Sequence, residues 1–146
     1  MNQVKAAFAV VTQESSESHL FFAQWNQHWQ RFNFVGGKLE ADESPLQCVI
    51  REVEEELSLS FEADFVILTP RIRKLNFTEV SKRTGELTDY EMTFFAGEFV
   101  NPGLHERLVD RRENRWLSLA EILAEQTVDG QRISRLMSML LGQDEP

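Results

Sequence analysis

Apolar and polar residues follow two different rhythms along this chain. Ala6 to Gln13 and His19 to Asn26 are rich in Val and Phe, residues that suit a pleated, half-buried backbone, and they predict two strands. The polar cluster ESSES between them supplies a turn. Arg31 to Val35 (RFNFV) alternates and leads into Gly36-Gly37, which predicts a short strand ending in a turn that glycine accommodates easily. The period then changes. Leu46, Val49, Ile50, Val53 and Leu57 recur at helical spacing, Ser44 with Gln47 forms a capping box, and Pro45 falls at the first helical position. Phe61 to Phe77 and Asp89 to Val100 read as longer strands joined through EVSKRTGELT, where Gly85 suits a hairpin loop and Pro70 bends or interrupts the first strand. Ser118 and Glu121 form a second capping box opening a short helix to about Ala124. Asp129 is positioned to cap a last helix, along which Ile133, Leu136, Met137, Leu140 and Leu141 make one apolar stripe before Gly142.

Composition adds limits to this outline. The 146 residues fit one domain of ordinary size, and an apolar fraction of 42% with eleven Phe and three Trp supplies a core and excludes disorder. The single Cys48 excludes an intramolecular disulfide and points to a reducing, cytoplasmic setting. The longest apolar stretch near the start, Ala6 to Val11, is too short to span a bilayer. With 15 Lys and Arg against 24 Asp and Glu, the net charge of −9 disfavours long nucleic acid and anionic membranes, while leaving open a small anionic substrate carried with divalent cations.

The chemistry concentrates between Gly37 and Leu59, GKLEADESPLQCVIREVEEELSL. On a helix, residues three and four apart share a face, so Glu52 projects beside Glu55 and Glu56. Alone, three clustered carboxylates repel one another and raise each other's pKa. A hard divalent cation such as Mg2+, which prefers oxygen ligands and keeps part of its water shell, reverses that effect and suits a few carboxylates plus substrate phosphate. Gly36 and Gly37 leave backbone free to approach a ligand, and Lys38 places a cation beside them. Arg51, four residues before Glu55 and on the side of Glu43, is suited to hold two carboxylates in fixed positions.

Gly37, Glu43, Arg51, Glu52, Val53, Glu55, Glu56 and Leu59 stand at the positions of the Nudix box, with Ser58 in place of its second glycine. Ordinary residue frequencies put a chance match on the order of one in a hundred thousand. On these residues the chain resembles a Nudix (MutT-like) hydrolase. The resemblance implies an α/β fold of the α+β type, an alpha-beta-alpha sandwich with a mixed sheet, as one domain over 1–146 with the box at 37–59. It implies Mg2+- or Mn2+-dependent attack of water on a diphosphate linked to another moiety, in a nucleoside triphosphate, sugar nucleotide or dinucleotide. Glu52, Glu55 and Glu56 would be metal ligands, one of them also activating water, with Gly37 placing the loop and Glu43 and Arg51 orienting the site. A further acidic residue from a later loop is expected, and HERLVDRRENRW offers Asp110 and Glu113. Many members form dimers.

Other features have two readings. Arg71, Arg73, Lys74, Lys82 and Arg83 either touch substrate phosphates or protect a strand edge with charge. Trp25, Trp29, Phe32 and Phe34 either stack on a base or pack in the core. Glu54 reads as surface and Cys48 as a small buried apolar group. The alternative from another class is a non-catalytic Nudix-fold nucleotide sensor or regulatory module, whose mark would be loss of box carboxylates. None is lost.

Overall fold

The structure of the chain is a computed structural model, described here over residues 2–14 and 19–142. Of the expected turn ESSES, Ser15 to Ser18 lie outside the described residues.

In chain order the elements are β1 (Asn2–Glu14), β2 (His19–Asn26), β3 (Arg31–Asn33), β4 (Val35–Lys38), α1 (Pro45–Leu57), β5 (Phe65–Val80), β6 (Leu87–Phe99), α2 (Leu104–Val109), β7 (Asn114–Ser118), α3 (Leu119–Ala124) and α4 (Arg135–Gly142). The strands form one mixed sheet with the path β3-β2-β1-β6-β5, to which β4 is added on β1 and β7 on β2. β1 is its organiser. From Asn2 to Val11 it runs parallel to Thr88–Gly97 of β6, Ala6–Ala9 also pair antiparallel with β4, and its last residues pair with β2.

Because side chains alternate across a strand, β1 feeds two cores. Ala7, Ala9 and Val11 face Cys48, Val49, Val53 and Leu57 of α1 together with Leu104 and Leu108 of α2. Ala6, Phe8 and Val10 face Phe94, Leu117, Ile122 of α3, and Met137 and Leu140 of α4. Helices thus cover both faces of a mixed sheet, the sandwich that the sequence implied. The small residues at positions 6, 7 and 9 let the helices approach closely, while Phe22, Phe65 and Phe94 each contribute roughly 1.5–3 kcal/mol on full burial.

Several boundaries differ from the sequence-based expectation. Gly36 and Gly37 do not form a turn: both lie in β4, opposite Phe8 and Ala7. Their lack of a side chain serves close approach. A Cβ on Gly36 would stand 2.6 Å from a Phe8 ring carbon and collide with the Ala7 carbonyl. The hairpin β5–β6 turns at Ser81–Glu86, with Gly85 at φ 73°, and the register shifts between Leu68 and Arg73 around Pro70. α4 begins at Arg135 and is not capped by Asp129, whose carboxylate accepts hydrogen bonds from Arg115 and Thr127 instead. Ile133 is buried ahead of the helix, in a bridge to Phe32. No described helix is long and apolar enough to cross a membrane.

Candidate active site

α1 starts where its sequence says it should. Ser44 has extended backbone, its Oγ accepts the Gln47 N–H at 3.1 Å, and the Gln47 Oε1 accepts the Ser44 N–H at 2.9 Å. The pair satisfies two donors that the first turn leaves open and fixes the phase of the helix. With Cys48, Val49, Val53 and Leu57 locked against the sheet, Arg51, Glu52, Glu55 and Glu56 must face away from that core.

Arg51 is the centre of the arrangement. Its Nε and Nη2 donate to the two oxygens of Glu43 at 2.7 and 3.0 Å, a bidentate pair. Its Nη1 donates to Glu52 at 3.1 Å and reaches Glu55 at 3.4 Å, Nη2 donates to the Lys38 carbonyl at 3.2 Å, and Glu40 lies at 3.6 Å. One guanidinium therefore ties the end of β4, the loop after it and two helical turns together. Glu43 in turn accepts the Glu40 N–H at 2.9 Å, which shapes the loop leading to the helix. The Arg51 hydrogen bonds, with that of the Glu40 backbone, hold the Glu43 carboxyl down at about 2.

Glu52 is in a different situation. Its side chain is only 13% exposed, and burial pushes its pKa up, against the pull of Arg51 and with the repulsion of Glu56 and Glu55 adding to the rise. A Cβ on Gly37 would fall 2.6 Å from the Glu52 carboxyl carbon, so glycine at 37 is what gives this carboxylate its place. Glu55 is 57% exposed and Glu56 is exposed. Four carboxylates, Glu40, Glu43, Glu52 and Glu55, share one guanidinium, which leaves the cluster strongly negative. Its donors are all oxygen, the chemistry a hard divalent cation prefers. Among the described residues no three His, Cys, Asp or Glu side chains are grouped so as to hold a metal ion.

The remaining candidates are distributed as follows. Lys38 is exposed at the end of β4. Asp110 caps the C-terminus of α2, and Glu113 is paired with Arg111 at 2.6 Å; neither touches the box carboxylates. Their loop is nevertheless tied to the box helix: Gln24 donates to the Glu56 carbonyl at 3.3 Å and to Asn114 Oδ1 at 3.2 Å, and the buried Asn114 donates to the Leu108 carbonyl at 2.8 Å. The sequence alone does not mark Gln24, Asn114 or Glu40, since isolated amides in strands and a Glu in an acidic run carry no pattern.

Cys48 is fully buried, donates to the Gly37 carbonyl at 3.3 Å, and has its thiol pushed up to about 11 by burial, which makes it an inert packing group. Glu54 is more than surface: its Oε2 accepts the Phe61 N–H at 3.0 Å. Ser58 does adopt the left-handed conformation of the absent glycine, at φ 56° and ψ 47°, with its N–H donated to the Glu54 carbonyl. Of the basic stretch, Arg73 donates to the Leu140 carbonyl and Lys74 of the outer strand β5 pairs with Glu91 of β6, while Lys82 and Arg83 are exposed in the β5–β6 turn. Phe32 and Phe34 are core residues, and Trp29 is 44% exposed.

The NUDIX domain family model matches residues 2–137. No curated protein matches the chain. Among solved structures, the chain is similar to an Ap4A hydrolase from C. elegans, at 18% identity and a TM-score of 0.66 over 97% of this chain and 95% of that one. It is similar to the MutT protein of Methanosarcina mazei, at 18% identity and a TM-score of 0.62 over 97% and 92%. It also resembles NrtR of Shewanella oneidensis complexed with a 27mer DNA, at 14% identity and a TM-score of 0.57, over 94% of this chain and 58% of that one. These likenesses carry the fold, and the family match carries the membership. An Arg51-centred acidic helix set on a glycine strand, inside a domain matched over nearly its whole length, places the chain in the Nudix hydrolase family.

Proposed function

We propose that this chain, as a single domain, hydrolyses a diphosphate linkage in a nucleoside diphosphate derivative with the help of Mg2+ or Mn2+. The observation that supports this reading is the convergence of Glu43, Glu52 and Glu55 on Arg51 with too little positive charge to balance them. Glu52, Glu55 and Glu56 would hold the metal. When bound, a divalent cation neutralises diphosphate oxygens and lowers the pKa of an attacking water.

The chain's own residues do the rest. Glu52, whose proton affinity is raised by burial and neighbouring carboxylates, is held beside Gly37 at a fixed distance from the backbone a phosphate would approach. Arg51 keeps Glu52 and Glu55 from swinging apart, and Glu43 keeps Arg51 in place. Gly36, Gly37 and the exposed Lys38 would border the diphosphate. Asp110 or Glu113 could serve as an added acid only by reorienting, Glu113 by leaving Arg111. A buried free thiol agrees with a cytoplasmic location.

The test is hydrolysis of a panel of oxidised and normal nucleoside triphosphates, sugar nucleotides and dinucleotides with Mg2+ or Mn2+. Glu55→Gln and Glu56→Gln should each abolish turnover with circular dichroism and thermal midpoint unchanged. Full activity in both variants would remove the metal-site assignment. Tight nucleotide binding without product release in the wild type would favour the sensor alternative.

A further inference from the structure

Past the C-terminal end of α1 lies an open cleft of about 370 Å³, lined by Val109, Arg112, Asn114, Arg115 and Trp116. It adjoins the box helix through the Asn114–Gln24–Glu56 hydrogen bonds. Its charged groups differ in what they are already doing. Arg115 is bound to Asp129 at 2.7 Å and lies over the Phe32 ring at 4.9 Å. Arg111 and Glu113 neutralise each other. Asn114 has its oxygen occupied by Gln24 and its amide nitrogen donating to Leu108. Arg112 is exposed and makes no hydrogen bond or ion pair among the described residues.

Trp116 forms the firm wall. One face is stacked on His105 at 5.0 Å and 9°, and its edges meet Phe22 and Phe99. Among the described residues its indole N–H has no partner and no buried polar side-chain atom is left unsatisfied, so this donor is accessible to solvent. The cleft therefore offers the Arg112 guanidinium beside apolar surface from Val109 and Trp116, in a chain whose net charge is −9. An unpaired cation in such a field is suited to an oxyanion, and Arg is suited to a phosphate in particular.

We propose that Arg112 is a specificity-determining residue that binds a phosphate of the substrate beyond the two joined by the cleaved bond, with Trp116 as the wall against which the adjoining part of the substrate rests. The inference rests on the diphosphate reading above and narrows it to substrates carrying at least three phosphates, over sugar nucleotides with two.

The experiment compares wild type, Arg112→Lys and Arg112→Glu in two ways: steady-state kinetics on nucleoside triphosphates and nucleoside diphosphate sugars, and calorimetric titration with ATP and GTP in the presence of Mg2+. Loss of a charge-assisted hydrogen bond predicts that Arg112→Glu raises KM and Kd for triphosphates about tenfold or more, with kcat little changed and diphosphate sugars unaffected. Arg112→Lys should recover part of the loss, and the thermal midpoint should stay constant. If triphosphates are hydrolysed and Arg112→Glu leaves their KM unchanged, or changes all substrates alike, the cleft assignment is overturned while the hydrolase reading stands. If nothing is hydrolysed but Arg112→Glu weakens triphosphate binding, the cleft stands and the hydrolase reading falls. Absence of any nucleotide binding to the wild type overturns both.

Discussion

Gly37 and Glu52 are fitted to one another: a Cβ on the glycine would stand 2.6 Å from the carboxyl carbon of the glutamate. The neighbouring Gly36 faces backbone and the Phe8 ring instead. The two glycines therefore have separable roles. Gly37→Ala should displace Glu52 and lower kcat/KM by about a hundredfold, the scale on which a misplacement of roughly 1 Å is felt. Gly36→Ala should act on the fold, lowering stability by about 1–3 kcal/mol. Parallel denaturation curves and kinetics separate the two, and equal effects on stability would remove the distinction.

Arg51 predicts a linked change in charge and rate. Arg51→Met removes the largest cause that holds Glu43 at about 2, so the Glu43 carboxyl should rise toward its ordinary value while the Glu40 N–H still holds it below, and activity should be lost. Arg51→Lys keeps the charge without the bidentate geometry and should retain a fraction of the rate, on the order of one part in ten to a hundred. Carbon-detected NMR titration follows Glu43 directly, and an unmoved value in Arg51→Met would contradict the assigned cause.

Ser58 carries a left-handed backbone that costs a residue with a Cβ about 1–2 kcal/mol, partly offset by the greater chain entropy of glycine. Ser58→Gly should raise stability by about 0.5–1 kcal/mol, or about 1–4 °C in thermal midpoint for a chain of this size. Calorimetry of the variant is the check, and a lowered midpoint would show that the serine is held by something other than the Glu54 carbonyl.

Asp129 gives a pH dependence away from the site. Hydrogen bonds from Arg115 and Thr127 lower its pKa from 3.8 to about 2. A carboxyl depressed in the folded state adds stability above its unfolded pKa and loses it as pH falls through the folded one. Wild type should therefore exceed Asp129→Asn in thermal midpoint at neutral pH, with the gap closing between pH 4 and 2. Curves that stay parallel over that range would exclude the pair as the source.

What could be read from the sequence follows from where local signals agree with tertiary demands. α1 carries a capping box, a proline at its start and an apolar stripe, and all three point the same way. α2 has only six residues, begins at Gly103 in a left-handed conformation, and has no side-chain cap, so nothing in HERLVDRREN marks it as a helix. β7 is five residues whose place depends on pairing with β2, a non-local partner. A diglycine in sequence suggests a turn because glycine usually marks flexibility; here two side chains are omitted so that β4 can fit against Phe8 and Glu52. Asp129 suits a helix cap by position alone, and its engagement with Arg115 is invisible in sequence. The same holds for the site: the acidic set and its arginine are a local pattern, whereas the tie from Gln24 to Asn114 and the Glu56 carbonyl joins residues far apart in the sequence.

The parallel pairing of β1 with β6 joins residues about ninety positions apart. Every box residue has left the ribosome by Leu59, yet the strand beneath the box helix has an open edge until Gly97 has also emerged. Closing so long a loop is slow and must precede the reward of pairing. The carboxylate cluster is therefore a late product of synthesis, and a chain truncated in β5 would hold the complete motif without the floor that gives it shape.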